Sequence, residues 1–165
     1  MPTHSTNPTA PTHPAPAEVT PAGLPGEALL TQVDHVGFAV PDLDAAKEFY
    51  ARVFGLQVVH EEVNEAQGVR EAMLGVGDSC IQLLAPLTPE STIAKFIDRS
   101  GPGIQQVAYR VTDVRAVATT LRARGVRVLY EEPKIGTAGS LVNFVHPKDC
   151  GGVLIELVQP ANAKT

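Results

Sequence analysis

Two segments of the chain alternate apolar and polar residues with a period of two, the pattern of a half-buried β-strand. They cover residues 33–40 and 104–111. Each segment is followed by an aspartate, Asp42 or Asp113, and then by apolar residues at helical spacing. An aspartate in that position accepts a hydrogen bond from an unpaired backbone N–H, so both are predicted to begin helices as N-caps.

Each predicted helix ends at a glycine, Gly55 or Gly125, because glycine is favoured just past a helix C-terminus. Three shorter apolar segments follow each glycine and are predicted to be strands. They lie near 56–62, 68–75 and 79–86 in the first half, and near 126–132, 139–146 and 152–158 in the second. The pattern βαβββ therefore occurs twice, with an additional helix at 89–99 between the copies. The predicted fold class is α+β.

The two halves also match in sequence. VDHVGFAVPDLDAA at 33–46 aligns with IQQVAYRVTDVRAV at 104–117, GLQVVHEE from Gly55 aligns with GVRVLYEE from Gly125, and IQLLAP from Ile81 aligns with IELVQP from Ile155. Three matching blocks in the same order identify a duplicated module. When such a module packs against its copy, matched positions approach each other near an approximate twofold axis.

Polar residues occupy two pairs of matched positions where apolar residues are expected. His35 aligns with Gln106 on the opening strands, and Gln82 aligns with Glu156 on the closing strands. Burying such groups costs several kcal/mol in total unless they are partnered, and one cation would partner all four. The alternative for each residue alone is a polar side chain that a neighbour satisfies. We predict a divalent metal site built from one imidazole, two amides and one carboxylate.

Glu71, in the segment QGVREAML, is a fifth polar residue on an apolar strand face. A hairpin turn centred between Val76 and Gly77 would place Glu71 directly opposite Gln82, at a Cβ separation of roughly 4.5–5.5 Å. We therefore predict that Glu71 acts in catalysis or supports the metal site. The alternative is a surface glutamate paired with Arg70 or with a lysine.

Composition separates a tail from the folded part of the chain. The first 28 residues hold seven of the fourteen prolines and are predicted to form a disordered Pro/Thr/Ala-rich tail. One domain covers 29–160, with module one at about 31–87 and module two at about 103–160, and a short tail follows at 161–165. The net charge of −5 argues against a nucleic-acid partner. No apolar run could span a membrane, and no secretory or transit signal is visible, so we expect a cytoplasmic location.

Five segments of the chain resemble the vicinal oxygen chelate superfamily, with its glyoxalase/dioxygenase-like fold of two βαβββ modules, and within it the methylmalonyl-CoA epimerases. The segments are DHVGFAVPDLDAA, AQGVREAML, IQLLAPLTPESTIAKF, LYEEPKIG and FVHPKDCGGVLIEL, which extend over about 31–158. The resemblance implies that Glu71 is the catalytic carboxylate. It also implies a divalent metal ion bound by His35, Gln82, Gln106 and Glu156. Co²⁺ is the expected ion, with Mn²⁺, Mg²⁺, Ni²⁺ and Zn²⁺ as alternatives.

One position departs from the family pattern. Family members often have two adjacent histidines where this chain has Gln105 and Gln106. A glutamine oxygen is a weaker ligand than an imidazole nitrogen. We therefore expect a lower metal affinity and a shift toward harder ions.

The function implied by the resemblance is the epimerisation of (2R)/(2S)-methylmalonyl-CoA, an isomerase reaction of propionate metabolism. An α-proton is removed and returned through an enolate with the help of the metal, and Glu71 takes the proton on one face. Three sources are open for the proton on the other face: Glu156 released from the metal, a metal-bound water, or a group near Asn143. Methylmalonyl-CoA is then the small-molecule partner, and the resemblance implies a homodimer.

Two other functions are compatible with the same fold. A glyoxalase-like enzyme uses a metal ligand as its base and would not need Glu71. A small-molecule-binding protein of the fold needs no metal, and Gln106 would then mark a degraded site. An extradiol dioxygenase is disfavoured because its Fe(II) site requires two histidines.

Overall fold

The computed structural model describes residues 28–161, and the predicted tails at 1–28 and 161–165 lie outside these residues except for Ala28 and Ala161. Eight strands and three α-helices follow one another along this part of the chain. They are β1 Gln32–Ala39, α1 Leu43–Phe54, β2 Val58–Asn64, β3 Val69–Val76, β4 Ser79–Pro86, α2 Thr92–Ser100, β5 Gly103–Arg110, α3 Val114–Ala123, β6 Lys134–Ile135, β7 Leu141–Val145 and β8 Ile155–Gln159. Within residues 28–161, no helix is both long and apolar enough to cross a membrane.

All eight strands form one sheet, in the order β2-β3-β4-β1-β5-β8-β7-β6. The two modules meet where β1 pairs antiparallel with β5, and in this pairing Val36 lies opposite Val107, its match in the repeat. On either side of this junction, β1 pairs parallel with β4 and β5 pairs parallel with β8. This arrangement confirms the predicted α+β fold of two related modules about an approximate twofold axis.

The predicted N-caps begin α1 and α3. Asp42 Oδ1 accepts a hydrogen bond from the N–H of Ala45 at 3.0 Å, and Asp113 Oδ1 accepts one from the N–H of Ala116 at 3.0 Å. Gly55 ends α1 in the left-handed conformation with φ 69°, which glycine adopts without the steric cost of a Cβ atom. Local sequence signals are therefore sufficient to position both helices.

The linking helix α2 begins three residues later than the predicted range of 89–99. Ser91 is its N-cap, with Oγ accepting from the N–H of Ala94 at 3.1 Å. The residues before Ser91 form turns instead of helix. The start of α2 is therefore set by its capping residue, Ser91, which lies inside the predicted segment. It is not set by the first residue of that segment.

The predicted strand at 126–132 does not form, and this prediction is wrong. In this range Val128 makes a single isolated bridge, to Val145. The side chain of Asn143 bonds both backbone groups of Tyr130: Oδ1 accepts from its N–H at 3.1 Å, and Nδ2 donates to its carbonyl at 2.9 Å. A side-chain amide thus occupies the backbone groups that a strand would use in its ladder.

Each helix of a module packs against the strands of the same module. α1 covers a cluster of buried residues that includes Leu74 and Leu83, and α3 covers an equivalent cluster that includes Val145 and Leu157. Leu83 is 0 % exposed. These two clusters fix the central strands, which carry the candidate site.

We expect Leu83→Ala to lower the free energy of unfolding by about 2–5 kcal/mol, because it leaves a cavity in the first cluster. Denaturant titration followed by circular dichroism measures this change. Val63→Ala is the control, since Val63 is 53 % exposed and should cost less than about 1 kcal/mol. Equal losses for both variants would contradict the assignment of Leu83 to the core.

Candidate metal and proton-transfer site

The structure brings together the four side chains that the repeat singled out. They come from the four adjacent central strands: Gln82 from β4, His35 from β1, Gln106 from β5 and Glu156 from β8. All four are buried, with exposed fractions between 3 and 6 %. We call these residues, together with Glu71, the polar cluster.

Two matched irregularities in the β1–β5 pairing lie beside this cluster. The register shifts between Val33 and His35 and again between Gly37 and Phe38, which leaves Asp34 on β1 and Gln105 on β5 as extra residues. These two bulged positions are themselves equivalent in the repeat. A bulge redirects the neighbouring side chains, here those of His35 and Gln106.

The amide nitrogen of Gln106 lies at the centre of the cluster. It donates to Gln82 Oε1 at 3.1 Å and to Glu156 Oε2 at 2.5 Å, and it is 3.3 Å from His35 Nε2. His35 Nε2 is in turn 3.2 Å from Glu156 Oε2. Three candidate ligand atoms from three strands therefore converge on one point.

Glu71 is joined to the cluster through Gln82 and Thr137. Gln82 Nε2 donates to Glu71 Oε2 at 2.9 Å and to Thr137 Oγ1 at 3.0 Å, while Thr137 Oγ1 donates to Glu71 Oε1 at 2.7 Å. The Glu71 side chain is 1 % exposed, and Arg70 pairs instead with Asp44 and Glu61. The alternative of a surface glutamate paired with Arg70 is therefore wrong.

The predicted register of the β3–β4 hairpin is also wrong. Glu71 lies opposite Leu84, and Met73 lies opposite Gln82. The turn is centred one residue later than predicted, because Gly77, at φ 57°, and Asp78 form a two-residue loop. The residue opposite Glu71 is therefore Leu84 and not Gln82, a shift of two positions. A shift of two keeps each side chain on its face of the sheet. Glu71 and Gln82 consequently still meet, as diagonal neighbours.

Burial is the main reason why Glu71 holds a proton more tightly than an ordinary glutamate. Burial, with further contributions from the Glu62 and Glu156 carboxyl groups, raises the pKa of Glu71 to about 7, against an opposing hydrogen bond from Thr137. Glu62 lies directly opposite Glu71 in the β2–β3 ladder and is bonded to His60. A buried carboxyl group that titrates near neutrality is suited to proton transfer.

The imidazole of His35 is held in place by a charged pair, Asp34 and Arg110. Its Nδ1 lies 2.8 Å from Asp34 Oδ1, and Arg110 donates to Asp34 Oδ2 through Nε at 3.0 Å and Nη2 at 2.9 Å. Burial lowers the pKa of His35, but the hydrogen bonds to Asp34 and Glu156 outweigh it and raise the pKa to about 9. Asp34 thus fixes the ring with Nε2 toward the cluster.

We expect Asp34→Ala to weaken Co²⁺ binding about 10–100-fold, because the His35 ring loses the partner that orients it. Calorimetric titration of the metal-stripped protein with Co²⁺ measures the affinity. Asp98→Ala removes an exposed carboxylate of α2 and is the matched control. An unchanged affinity in the Asp34 variant would exclude this orienting role.

Asn143 is not part of the polar cluster. It lies opposite Leu157 on β8, and Phe144 lies opposite Glu156, so Asn143 is out of phase with the cluster by one residue. Its amide is also committed to the backbone of Tyr130. The prediction that a group near Asn143 supplies a proton to the substrate is therefore not supported.

The cluster separates two cavities. One has a volume of about 260 Å³ and is lined by residues that include Gln82, Gln106, Thr137 and Glu156. The other, of about 340 Å³, is lined by residues that include His35, Thr137 and Glu156. Glu71 lines neither cavity, but both residues bonded to its carboxylate line the first. The side chains of Thr137 and Gln82 therefore stand between that cavity and the Glu71 carboxylate.

Sequence reasoning missed Thr137, Asp34 and Arg110. Thr137 lies in a one-turn 3-10 helix, Thr137–Gly139, of module two, and it contacts Glu71 of module one. The GTAGS segment signals a turn but not the module that the turn contacts. Asp34 adjoins His35 in sequence, yet strict strand alternation would direct it to the opposite face, and only the bulge brings the two side chains into contact.

The donor set fits a divalent cation once one amide is turned. Among residues 28–161, no group of three or more His, Cys, Asp and Glu side chains is placed to hold a metal, so an ion here needs amide oxygens as well. Gln82 already directs Oε1 to the centre, beside His35 Nε2 and Glu156 Oε2. Gln106 directs its nitrogen there and must rotate to offer oxygen. One imidazole with three oxygen donors suits a moderately hard ion.

Comparisons with known proteins place this site in context. The model of the Glyoxalase/Bleomycin resistance protein/Dioxygenase superfamily matches residues 34–144. The mitochondrial methylmalonyl-CoA epimerase of Homo sapiens is 39 % identical over 131 residues, which cover 79 % of this chain and 74 % of the human protein. The crystal structure of methylmalonyl-CoA epimerase from Mycobacterium tuberculosis is 55 % identical, with a TM-score of 0.79 over 84 % of this chain and 94 % of that one. A methylmalonyl-CoA epimerase in complex with methylmalonyl-CoA and NH4+ is 48 % identical, with a TM-score of 0.79 over 82 % and 99 % of the two chains.

Proposed function

This chain belongs to the Glyoxalase/Bleomycin resistance protein/Dioxygenase superfamily and, within it, to the methylmalonyl-CoA epimerases, and we propose that it interconverts the two epimers of methylmalonyl-CoA. A relative that is 48 % identical was solved with methylmalonyl-CoA itself. The single observation in this structure that carries the proposal is the contact of buried Glu71 with a cluster of candidate metal ligands beside a cavity.

The α-carbon of the substrate lies between a thioester and a carboxylate, so the enolate formed by loss of its proton is delocalised. In our proposal Glu71 accepts this proton as general base. Its carboxylate becomes accessible when the substrate displaces Thr137 Oγ1 or Gln82 Nε2. Both groups then supply donors next to the reacting carbon, and burial of the cluster keeps bulk water away from the enolate.

We further propose that His35, Gln82, Gln106 and Glu156 hold a divalent cation, with Co²⁺ favoured over Mn²⁺, Mg²⁺, Ni²⁺ and Zn²⁺. A cation bound there supplies Lewis-acid stabilisation of the developing enolate oxygen. Asp34 and Arg110 hold the His35 ring in place for this purpose. The affinity of the four residues depends most on Glu156, the one anionic donor among them.

The proton on the opposite face of the α-carbon has two remaining sources in this proposal. Glu156 borders both cavities, and a bound water is the other candidate. Since Asn143 points elsewhere, it is no longer a third. The expected homodimer, the cytoplasmic location and the disordered tail at 1–28 stay predictions.

Deuterium incorporation tests the proposed activity. Methylmalonyl-CoA is incubated with the metal-loaded protein in D₂O, and the α-proton is followed by NMR. We expect the α-proton signal to disappear at an enzyme-dependent rate while the methyl signal collapses from a doublet. A protein that binds the substrate but leaves the α-proton in place would be a binding protein and would contradict the proposal. A glyoxalase-like enzyme would leave it in place as well.

A further inference from the structure

The Gln106 amide nitrogen occupies the point at which a cation would meet the other three side chains. It is 2.5 Å from Glu156 Oε2, 3.1 Å from Gln82 Oε1 and 3.3 Å from His35 Nε2. Gln82 Oε1 and Glu156 Oε2 each offer a lone pair that a metal would use, and His35 Nε2 offers one once its proton has left. An N–H donor of the chain itself thus bonds two of the candidate ligand atoms.

The orientation of the Gln106 amide follows from its neighbours. Gln82 directs its nitrogen to Glu71 and Thr137, so its oxygen faces Gln106. The Glu156 carboxylate can only accept. Two acceptors therefore face Gln106, and a rotated amide would place oxygen against oxygen in a buried site. The network selects the donor side of Gln106.

The backbone opposite Gln106 fixes the position of its side chain. Gly37 pairs with Gln106 across the β1–β5 ladder. A Cβ atom at Gly37 would lie only 2.7 Å from Gln106 Cγ, so the absence of a side chain there creates the space in which Gln106 extends. The central position of the amide is therefore part of the packing of the two opening strands.

We propose that Gln106 is a built-in competitor of the cation at this site. This inference rests on the proposed metal site and specifies how the chain controls its occupancy. A metal ion must displace the amide nitrogen and break its bonds to Gln82 and Glu156 before these atoms can ligate. After rotation, the Gln106 oxygen offers the metal one neutral ligand atom, which a water molecule can replace. Gln106 therefore lowers the metal affinity of the site. The loss is larger than the one expected from replacing an imidazole ligand by a weaker amide oxygen.

The variant Gln106→Ala distinguishes between two roles of Gln106, a competitor of the metal and a simple metal ligand. If Gln106 competes, Gln106→Ala binds Co²⁺ as tightly as the wild type or about 2–12-fold more tightly per released hydrogen bond. If Gln106 acts only as a ligand, the variant binds Co²⁺ more weakly. Calorimetric titration of the metal-stripped proteins with Co²⁺ gives both affinities, and a loss of more than about threefold would overturn the inference. Gln105→Ala, which removes the adjacent amide and none of these bonds, is the control for metal affinity.

Thermal unfolding provides a second readout. The metal-free Gln106→Ala protein should have a lower Tm than the metal-free wild type, because the buried oxygens of Gln82 and Glu156 lose their hydrogen-bond donor. Added Co²⁺ should raise its Tm by more than it raises that of the wild type. A smaller rise in the variant would contradict the inference. If Gln106→Ala does not fold, Gln106→Asn replaces it, since an amide one methylene shorter withdraws from the two acceptors, Gln82 Oε1 and Glu156 Oε2.

Failure of this inference is distinct from failure of the proposed function. No Co²⁺ binding by either protein would contradict the metal site itself, and with it the competitor role. Deuterium exchange at the substrate α-carbon then reports separately whether the chain is an epimerase. Tight binding by the wild type with weaker binding by Gln106→Ala would contradict the competitor role alone.

Discussion

Replacing Glu71 by glutamine is expected to lower the turnover of methylmalonyl-CoA about 10²–10⁴-fold, the usual contribution of a positioned general base. Glutamine has nearly the same shape and can still accept a hydrogen bond from Gln82 Nε2. It cannot take up the α-proton. The variant should therefore retain Co²⁺ affinity and KM within about threefold, while kcat falls. Deuterium exchange into the α-position, measured over a range of substrate concentrations, separates these quantities.

The matched control for this experiment is Glu132→Gln. Glu132 is 76 % exposed and pairs with Arg115 at the surface, so its neutralisation should leave turnover unchanged. Wild-type turnover in the Glu71 variant would remove Glu71 from the mechanism. It would favour the glyoxalase-like alternative, in which a metal ligand is the base.

Replacing Glu156 by alanine is expected to abolish Co²⁺ binding. Glu156 is the one anionic donor of the proposed set, and its carboxylate contacts both His35 Nε2 and Gln106 Nε2. Neutral imidazole and amide donors alone hold a divalent ion of this hardness weakly. Metal analysis of the purified variant after equilibration with Co²⁺ measures the occupancy.

The same analysis on Glu132→Ala controls for a general loss of negative charge. Full Co²⁺ occupancy in Glu156→Ala would refute the ligand role of Glu156. Leu157, next to Glu156, belongs to the core cluster under α3, so the folding of the Glu156 variant must be checked. A cooperative thermal transition establishes that the variant is folded.

The repeat made the polar cluster predictable from sequence. His35 and Gln82 each looked unremarkable alone, but their matches in the other module are also polar, and a twofold axis brings such pairs together. The helix caps at Asp42 and Asp113 were predictable for a different reason, since capping depends on residues three positions apart. Both kinds of inference use short-range chemistry or internal symmetry, which a sequence contains.

Features that depend on backbone irregularity were not predictable. The bulges at Asp34 and Gln105 add one residue to each strand, and neither bulged residue is a glycine or a proline. The hairpin register depended on which two residues form the turn, and a different centre changed the partner of Glu71. The missing strand at 126–132 reflects one side chain, that of Asn143, which binds the backbone of Tyr130.

Contacts between the two modules were also not predictable from the sequence. Thr137 bonds Glu71 although 66 positions separate the two residues. It occupies a short turn that begins directly after Gly136, and Ala138 within this turn has the left-handed φ of 54°. Sequence periodicity describes how each module folds but not how a loop of one module covers a residue of the other.

Diffraction from crystals of metal-stripped protein soaked in Co²⁺, recorded at the cobalt absorption edge, tests most directly whether the four central strands build one metal site. We expect a single strong anomalous peak about 2.0–2.3 Å from His35 Nε2, Gln82 Oε1 and a Glu156 oxygen, with the Gln106 nitrogen turned away from the centre. A peak held by other residues, or no peak from protein that catalyses deuterium exchange, would contradict the site.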